Sequence, residues 1–181
     1  MRTPIAAVAA LFLILGGTAV AEPLKITVTR PDFLSNRVEW MKEQVRCVRN
    51  AVFTEARGES DLGQRMVAWV VAQRALDNRR EWGRTFCDVA YRIRANPDGT
   101  LTSQFTGPVR HGVSVQEGHP DLERAERNTL RVILEDWKPE GELQLARFYQ
   151  RPEHADPTRS KWFKKLVVVG KIDNHVFYRS R

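Results

Sequence analysis

Glu55, within Thr54-Glu55-Ala56-Arg57-Gly58-Glu59, is the residue of this chain best suited to acid–base chemistry. Met41, Val45, Val48 and Val52 recur at the spacing of one face of an amphipathic helix, and Glu55 is the next member of that series. A carboxylate therefore takes a place that the pattern assigns to the core, in the last turn before Gly58. A glycine there predicts a left-handed helix end. Partial burial disfavours the charged form, and the negative end of the helix dipole repels it. Both effects raise proton affinity, and a glutamic acid protonated near neutral pH is a general acid. The plain alternative is a glutamate that reaches out to solvent or pairs with Arg57, because charges at the edge of an apolar stripe are common. Glu59 is the nearby second carboxylate. Gly58 interrupts the helix between the two, so a shared face does not follow. An acid at the start of the following helix is favoured by that helix's dipole, and this structural role is the one assigned to Glu59.

The elements that must position Glu55 are mainly helical. A first helix is predicted from about Val38 to Arg57, and a second after Ser60 or Asp61, both good caps. The second carries Leu62, Met66 and Val70 on one side; Arg74 breaks that side, while Val67, Val71 and Ala75 widen it. It closes near Asn78. Trp82 and Phe86 lead into a short helical turn with Val89, Ala90 and Ile93. Residues 95–120 are rich in glycine and proline (Asn96-Pro97-Asp98-Gly99, Gly107-Pro108, His111-Gly112, Gly118-His119-Pro120) and read as a long irregular segment, which is commonly functional. A further helix follows Pro120, with Asp121 as cap, an apolar face of Leu122, Ala125, Thr129, Ile133 and Trp137, and Pro139 as its stop. Short β-rich pieces end the chain, at Leu145 to Tyr149, Leu166 to Val169 and His175 to Tyr178. The fold class expected is α+β, mainly helical, with a small C-terminal β portion and one domain over 38–181.

Residues 1–21 read as a signal peptide. Arg2 supplies the positive start, Ile5 to Leu15 a short apolar run, and Ala19-Val20-Ala21 the small-x-small cleavage site. The alternative is an uncleaved N-terminal anchor. Residues 22–37 are expected to form an N-terminal arm, or a strand, because Leu24, Ile26 and Val28 alternate with polar residues up to Pro31. A periplasmic or secreted protein with no stable membrane insertion after cleavage is expected. The net charge of +7 is spread rather than blocked, and an exported cationic protein meets anionic envelope polymers rather than nucleic acid. Cys47 and Cys87 are the only cysteines. In an oxidising compartment they read as one disulfide, worth about 4 kcal/mol for a loop of that length. Two unrelated buried thiols are the alternative.

The combination of Glu55-Ala56-Arg57-Gly58-Glu59, Gly63-Gln64 and Val70-Val71-Ala72-Gln73-Arg74 resembles the opening block of the SleB-type cell-wall hydrolases. Ser103-Gln104-Phe105 resembles the family's central Gln-Phe element. Phe148-Tyr149, Lys161-Trp162 and Asn174-His175-Val176-Phe177-Tyr178 resemble its C-terminal part. The resemblance spans roughly residues 44–179. It implies a lysozyme-like helical catalytic domain that cleaves peptidoglycan glycan strands between N-acetylmuramic acid and N-acetylglucosamine as a lytic transglycosylase. It places the catalytic glutamate on Glu55. The sequence departs from exported relatives in lacking a second cysteine pair around the Gln-Phe element, where Ser103 and Thr106 to Val109 stand.

Gln104, Tyr149 and Tyr178 are candidates to hold sugar hydroxyls and the acetamido group, and Phe105 and Trp162 to stack on sugar faces. Core packing is the competing role for the aromatic residues. His175 reads as a satisfied core histidine. No metal or cofactor is required, and a monomer acting on peptidoglycan is expected. Two other classes stay open. One is a catalytically degenerate, wall-binding module. The other is a zinc-dependent peptidase or amidase using His111, Glu117, His119 and His154, which lacks any His-Glu-x-x-His pattern.

Overall fold

The computed structural model of the chain describes residues 30–95, 99–105, 117–154 and 161–181. The expected signal peptide, residues 22–29 of the expected arm, His111 and the Thr106 to Val109 stretch lie outside the described residues. The fold is mainly helical with small antiparallel sheets, as expected.

Helix α1 (Arg30–Ala56) begins earlier than the expected Val38, so residues 30–37 are helical rather than an arm. Helix α2 (Asp61–Leu76) is the central element. Gly63, Gln64, every residue from Met66 to Ala72, Arg74 and Ala75 are buried, as befits a helix that is apolar nearly all round. The short α3 (Phe86–Ala90) closes against α1 and α2, and α4 (Pro120–Ile133) packs on both. Met66, Val67, Val70 and Val71 of α2 meet Val48, Ala51 and Val52 of α1 and Ala125 of α4 in one apolar core. Burial of these side chains supplies the main driving force of folding, about 25 cal/mol per Å² of apolar surface. The disulfide Cys47–Cys87 is present and ties α1 to α3.

Helix ends explain the local boundaries. Ser60 caps α2, its Oγ accepting from the Gly63 N–H at 3.1 Å. Thr85 and Asp88 form a capping box on α3. The cap of α4 is His119 rather than Asp121: its Nδ1 accepts from the Asp121 N–H at 3.2 Å, with Pro120 at the first helical position. That helix stops at Ile133, before the expected Pro139. At the end of α1, Gly58 is not among the positive-φ glycines, so the expected left-handed end is absent. The α1 carbonyls are closed instead by the Glu59 N–H on Ala56 O at 3.0 Å and by Gln64 Nε2 on the same oxygen at 3.3 Å.

Strands β1 (Ile93–Ala95) and β2 (Leu101–Ser103) pair antiparallel; β2 lies within the segment expected to be irregular, and Ile93 is in β1 rather than in the expected helical turn. Strands β3 (Phe148–Gln150), β4 (Val167–Ile172) and β5 (His175–Arg179) form an antiparallel sheet in the order β3-β5-β4. Tyr149 pairs with Phe177, and Phe148 with Tyr178. Neighbouring residues of a strand point to opposite faces, so this register puts Tyr149 and Tyr178 on opposite sides of the sheet. Among the described residues, no helix is long and apolar enough to cross a membrane.

Candidate active site

Glu55 stands in the last turn of α1, half-buried. Strand β3 brings Tyr149 to it, and the two side chains are hydrogen bonded. Burial pushes the Tyr149 pKa well above its ordinary value, and the Glu55 charge adds to this while Arg74 opposes it. The phenol is therefore neutral at physiological pH and donates to the glutamate. Behind it lie Phe105, Phe177 and His175, with ring centroids 6.1, 6.0 and 5.0 Å from that of Tyr149. Tyr149 is thus itself packed among three rings, which hold its hydroxyl beside the Glu55 carboxyl group.

Glu59 has a different environment. Its side chain is 1 % exposed and accepts from the Asn174 backbone N–H at 3.1 Å and from Asn174 Nδ2 at 3.2 Å. Its arginine partner is Arg151 at 3.2 Å. Arg57 instead lies over the Phe53 ring, 5.5 Å from its centroid. Next to Asn174, Asp173 Oδ2 accepts from both the N–H and Oγ of Ser60, at 2.8 and 2.6 Å. The β4–β5 turn is therefore clamped onto the link between α1 and α2, one residue pair on each side. Gly63 is required beneath this clamp, because a Cβ there would overlap the Asp173 carboxylate. His175 sits behind Glu59, its Nδ1 4.0 Å from Oε1. Burial lowers its pKa, with Glu59 opposing. It is a buried histidine, but neither ring nitrogen has a hydrogen-bond partner among the described residues.

The remaining expected site residues divide. Gln104 is held at both ends of its amide: Oε1 accepts from Arg74 at 3.0 Å and Nε2 donates to Glu81 O at 3.0 Å. Phe105 is 1 % exposed, the position of a core residue rather than of a sugar-stacking platform. Tyr178 and Trp162 are apart from Glu55, on the other side of the sheet. There Phe163 stands between them, with ring centroids 5.0 Å from Tyr178 and 5.1 Å from Trp162. Trp162 is 46 % exposed. Sequence reasoning gave no role to Gln64, Asp173 or Arg151. Gln64 is fully buried and joins the α1 end to Asn128 of α4, whose Nδ2 donates to its Oε1 at 2.9 Å. Its signal was available, as a polar residue at a core position beside a glycine.

Two of the four expected peptidase ligands are otherwise engaged. Glu117 forms a two-pronged ion pair with Arg49, at 2.9 and 3.1 Å, and His119 caps α4. The side chain of His154 lies outside the described residues, as does His111.

A family profile described as Cell Wall Hydrolase matches residues 58–178. The chain belongs to the cell wall hydrolase family. The match starts just after Glu55, which the three-dimensional arrangement nonetheless joins to matched residues through Tyr149. Two solved structures are similar to the chain. One is the catalytic domain of the germination-specific lytic transglycosylase SleB from Bacillus anthracis, at 29% identity and TM-score 0.57, covering 75% of this chain and 93% of that one. The other is the catalytic domain of the Bacillus cereus SleB protein, at 28% identity and TM-score 0.56, covering 76% of this chain and 91% of that one. No curated protein sequence matches the chain. Membership of this cell wall hydrolase family makes the chain an enzyme, with the SleB-type fold expected from its motifs.

Proposed function

We propose that this cell wall hydrolase is an exported, monomeric lytic transglycosylase that cleaves peptidoglycan between N-acetylmuramic acid and N-acetylglucosamine, with Glu55 as its single acid and base. The observation that carries the reading is the half-buried Glu55 carboxyl group, hydrogen bonded by a neutral Tyr149 in a SleB-like domain. Glu55 gives its proton to the glycosidic oxygen as the bond from the muramic C1 to that oxygen breaks. The resulting Glu55 carboxylate takes the proton of the muramic C6 hydroxyl, whose oxygen bonds to C1 and closes a 1,6-anhydro ring. The acid is regenerated, and no water is consumed. A second carboxylate, which hydrolytic glycosidases need, has no part in this sequence, in keeping with the engagement of Glu59 in the β4–β5 clamp. Trp162, by its exposure, is the aromatic residue proposed to meet sugar outside the Glu55 site, with Tyr178 beside it.

Mass spectrometry of the muropeptides released from purified peptidoglycan tests this. The expected products carry 1,6-anhydromuramic ends, and Glu55→Gln should release them about two to four orders of magnitude more slowly while still sedimenting with the polymer. Reducing muramic ends would show that water is the acceptor, and an active Glu55→Gln would remove Glu55 from the chemistry.

A further inference from the structure

Arg74 interrupts the apolar face of α2, yet it is only 8% exposed. Its Nε donates to Arg147 O at 2.6 Å and its Nη1 to Gln104 Oε1 at 3.0 Å. Its guanidinium lies over the rings of Phe105 and Phe148, 5.2 Å from each centroid, and over Trp82 at 5.9 Å. These partners are neutral: two oxygens and three ring faces. Burial lowers the Arg74 pKa to about 10, which leaves it charged at physiological pH. A buried charge held by neutral groups is costly, and a leucine here would continue the apolar face. The charge is felt at the buried Tyr149 hydroxyl, whose proton affinity it lowers.

The geometry links the two. Arg147 stands immediately before β3, and its carbonyl accepts from Arg74. Two residues further along the chain, on β3, is Tyr149. Through Gln104 the same guanidinium holds the segment that carries Phe105, whose ring packs against Tyr149. Resting on the reading of Glu55 as the acid and base, we propose that Arg74 is a positioning residue for cleavage. Its buried charge makes the Tyr149 hydroxyl a stronger donor to Glu55 as negative charge develops there during proton transfer, and its hydrogen bonds keep that hydroxyl in place. Preorganised donors of this kind act most strongly where water is excluded.

A double-mutant cycle with Tyr149→Phe tests the link, reading the initial rate of muropeptide release and, separately, sedimentation with peptidoglycan. Arg74→Met should slow release by about ten- to a hundred-fold with sedimentation unchanged, and Arg74→Lys, which keeps the charge, should recover most of the rate. In the Tyr149→Phe background, Arg74→Met should cost less than about threefold more, because the hydroxyl through which it acts is gone. Should Arg74→Met lose cooperative melting, Arg74→Gln serves as the neutral variant in the same cycle. The same fold loss with and without the Tyr149 hydroxyl would overturn the proposal, and so would an Arg74→Lys as slow as the neutral variant. An active Glu55→Gln would instead overturn the reading of the site itself, whereas an inactive Glu55→Gln with an additive cycle would overturn only the role of Arg74.

Discussion

Two glutamates, Glu55 and Glu59, lie on either side of Gly58, and the fold treats them in opposite ways. Glu55 keeps part of its surface open and meets a neutral phenol from a strand far along the chain. Glu59 is buried and surrounded by donors: a backbone N–H, a side-chain amide and a guanidinium. A carboxylate committed to three donors serves as a structural clamp. The Glu55 carboxyl group, at the boundary of core and solvent and bonded by a neutral phenol, keeps an exposed side. Two carboxylates four residues apart in sequence are thus given different surroundings by the tertiary structure.

Exchanging the acids one at a time gives the largest contrast. Glu59→Ala leaves the Asn174 N–H, Asn174 Nδ2 and Arg151 without their acceptor, and should lower folding stability by about 3 kcal/mol in a denaturant titration. Cleavage by the molecules that stay folded should persist, unlike that of Glu55→Gln. If Glu59→Ala is fully stable but inactive, the two residues must exchange roles. A smaller effect is expected at Gly63→Ala, where the added Cβ meets the Asp173 carboxylate and disturbs its bonds to Ser60. Overpacking should outweigh the gain in helix propensity, for a net loss of about 1–2 kcal/mol, measured as a lowered Tm. An unchanged Tm would mean that the clamp is not tight.

The smallest effect is pH-dependent. Burial depresses the folded pKa of His175 below its ordinary 6.5. The unfolded chain therefore binds this proton more readily than the folded one. The stability due to neutral His175 is full above about pH 6.5 and is lost as pH falls toward and through the lower folded value. Melting curves below pH 6.5 should show a decline that His175→Phe reduces, and an identical decline in that variant would assign it to other groups.

Much of the architecture could be read from the chain. The steps from Met41 to Val52, the Ser60 cap and the paired cysteines each fix a local or covalent feature, and each appears where expected. Helix ends were read less well. His119 caps α4 in place of Asp121 because a following proline sets its backbone, and Gly58 needs no left-handed turn because Gln64 reaches back to close α1. Arg74 reads as a break in an apolar face, since nothing local to α2 shows the Arg147 carbonyl that receives it. The Gln104 and Phe105 pair likewise reads as a site motif until the Arg74 bond and the burial of the ring are seen.

The sequence by itself determined the helical class, the placing of an acid on an apolar stripe and the family resemblance, because periodicity, caps and motif order are properties of neighbouring residues. Only the tertiary structure decided which glutamate is clamped and which keeps an exposed side. The groups that distinguish them, Tyr149 on β3, Arg151 after it and Asn174 at the β4–β5 turn, lie far from both acids in the chain and meet them only when the sheet closes on the end of α1.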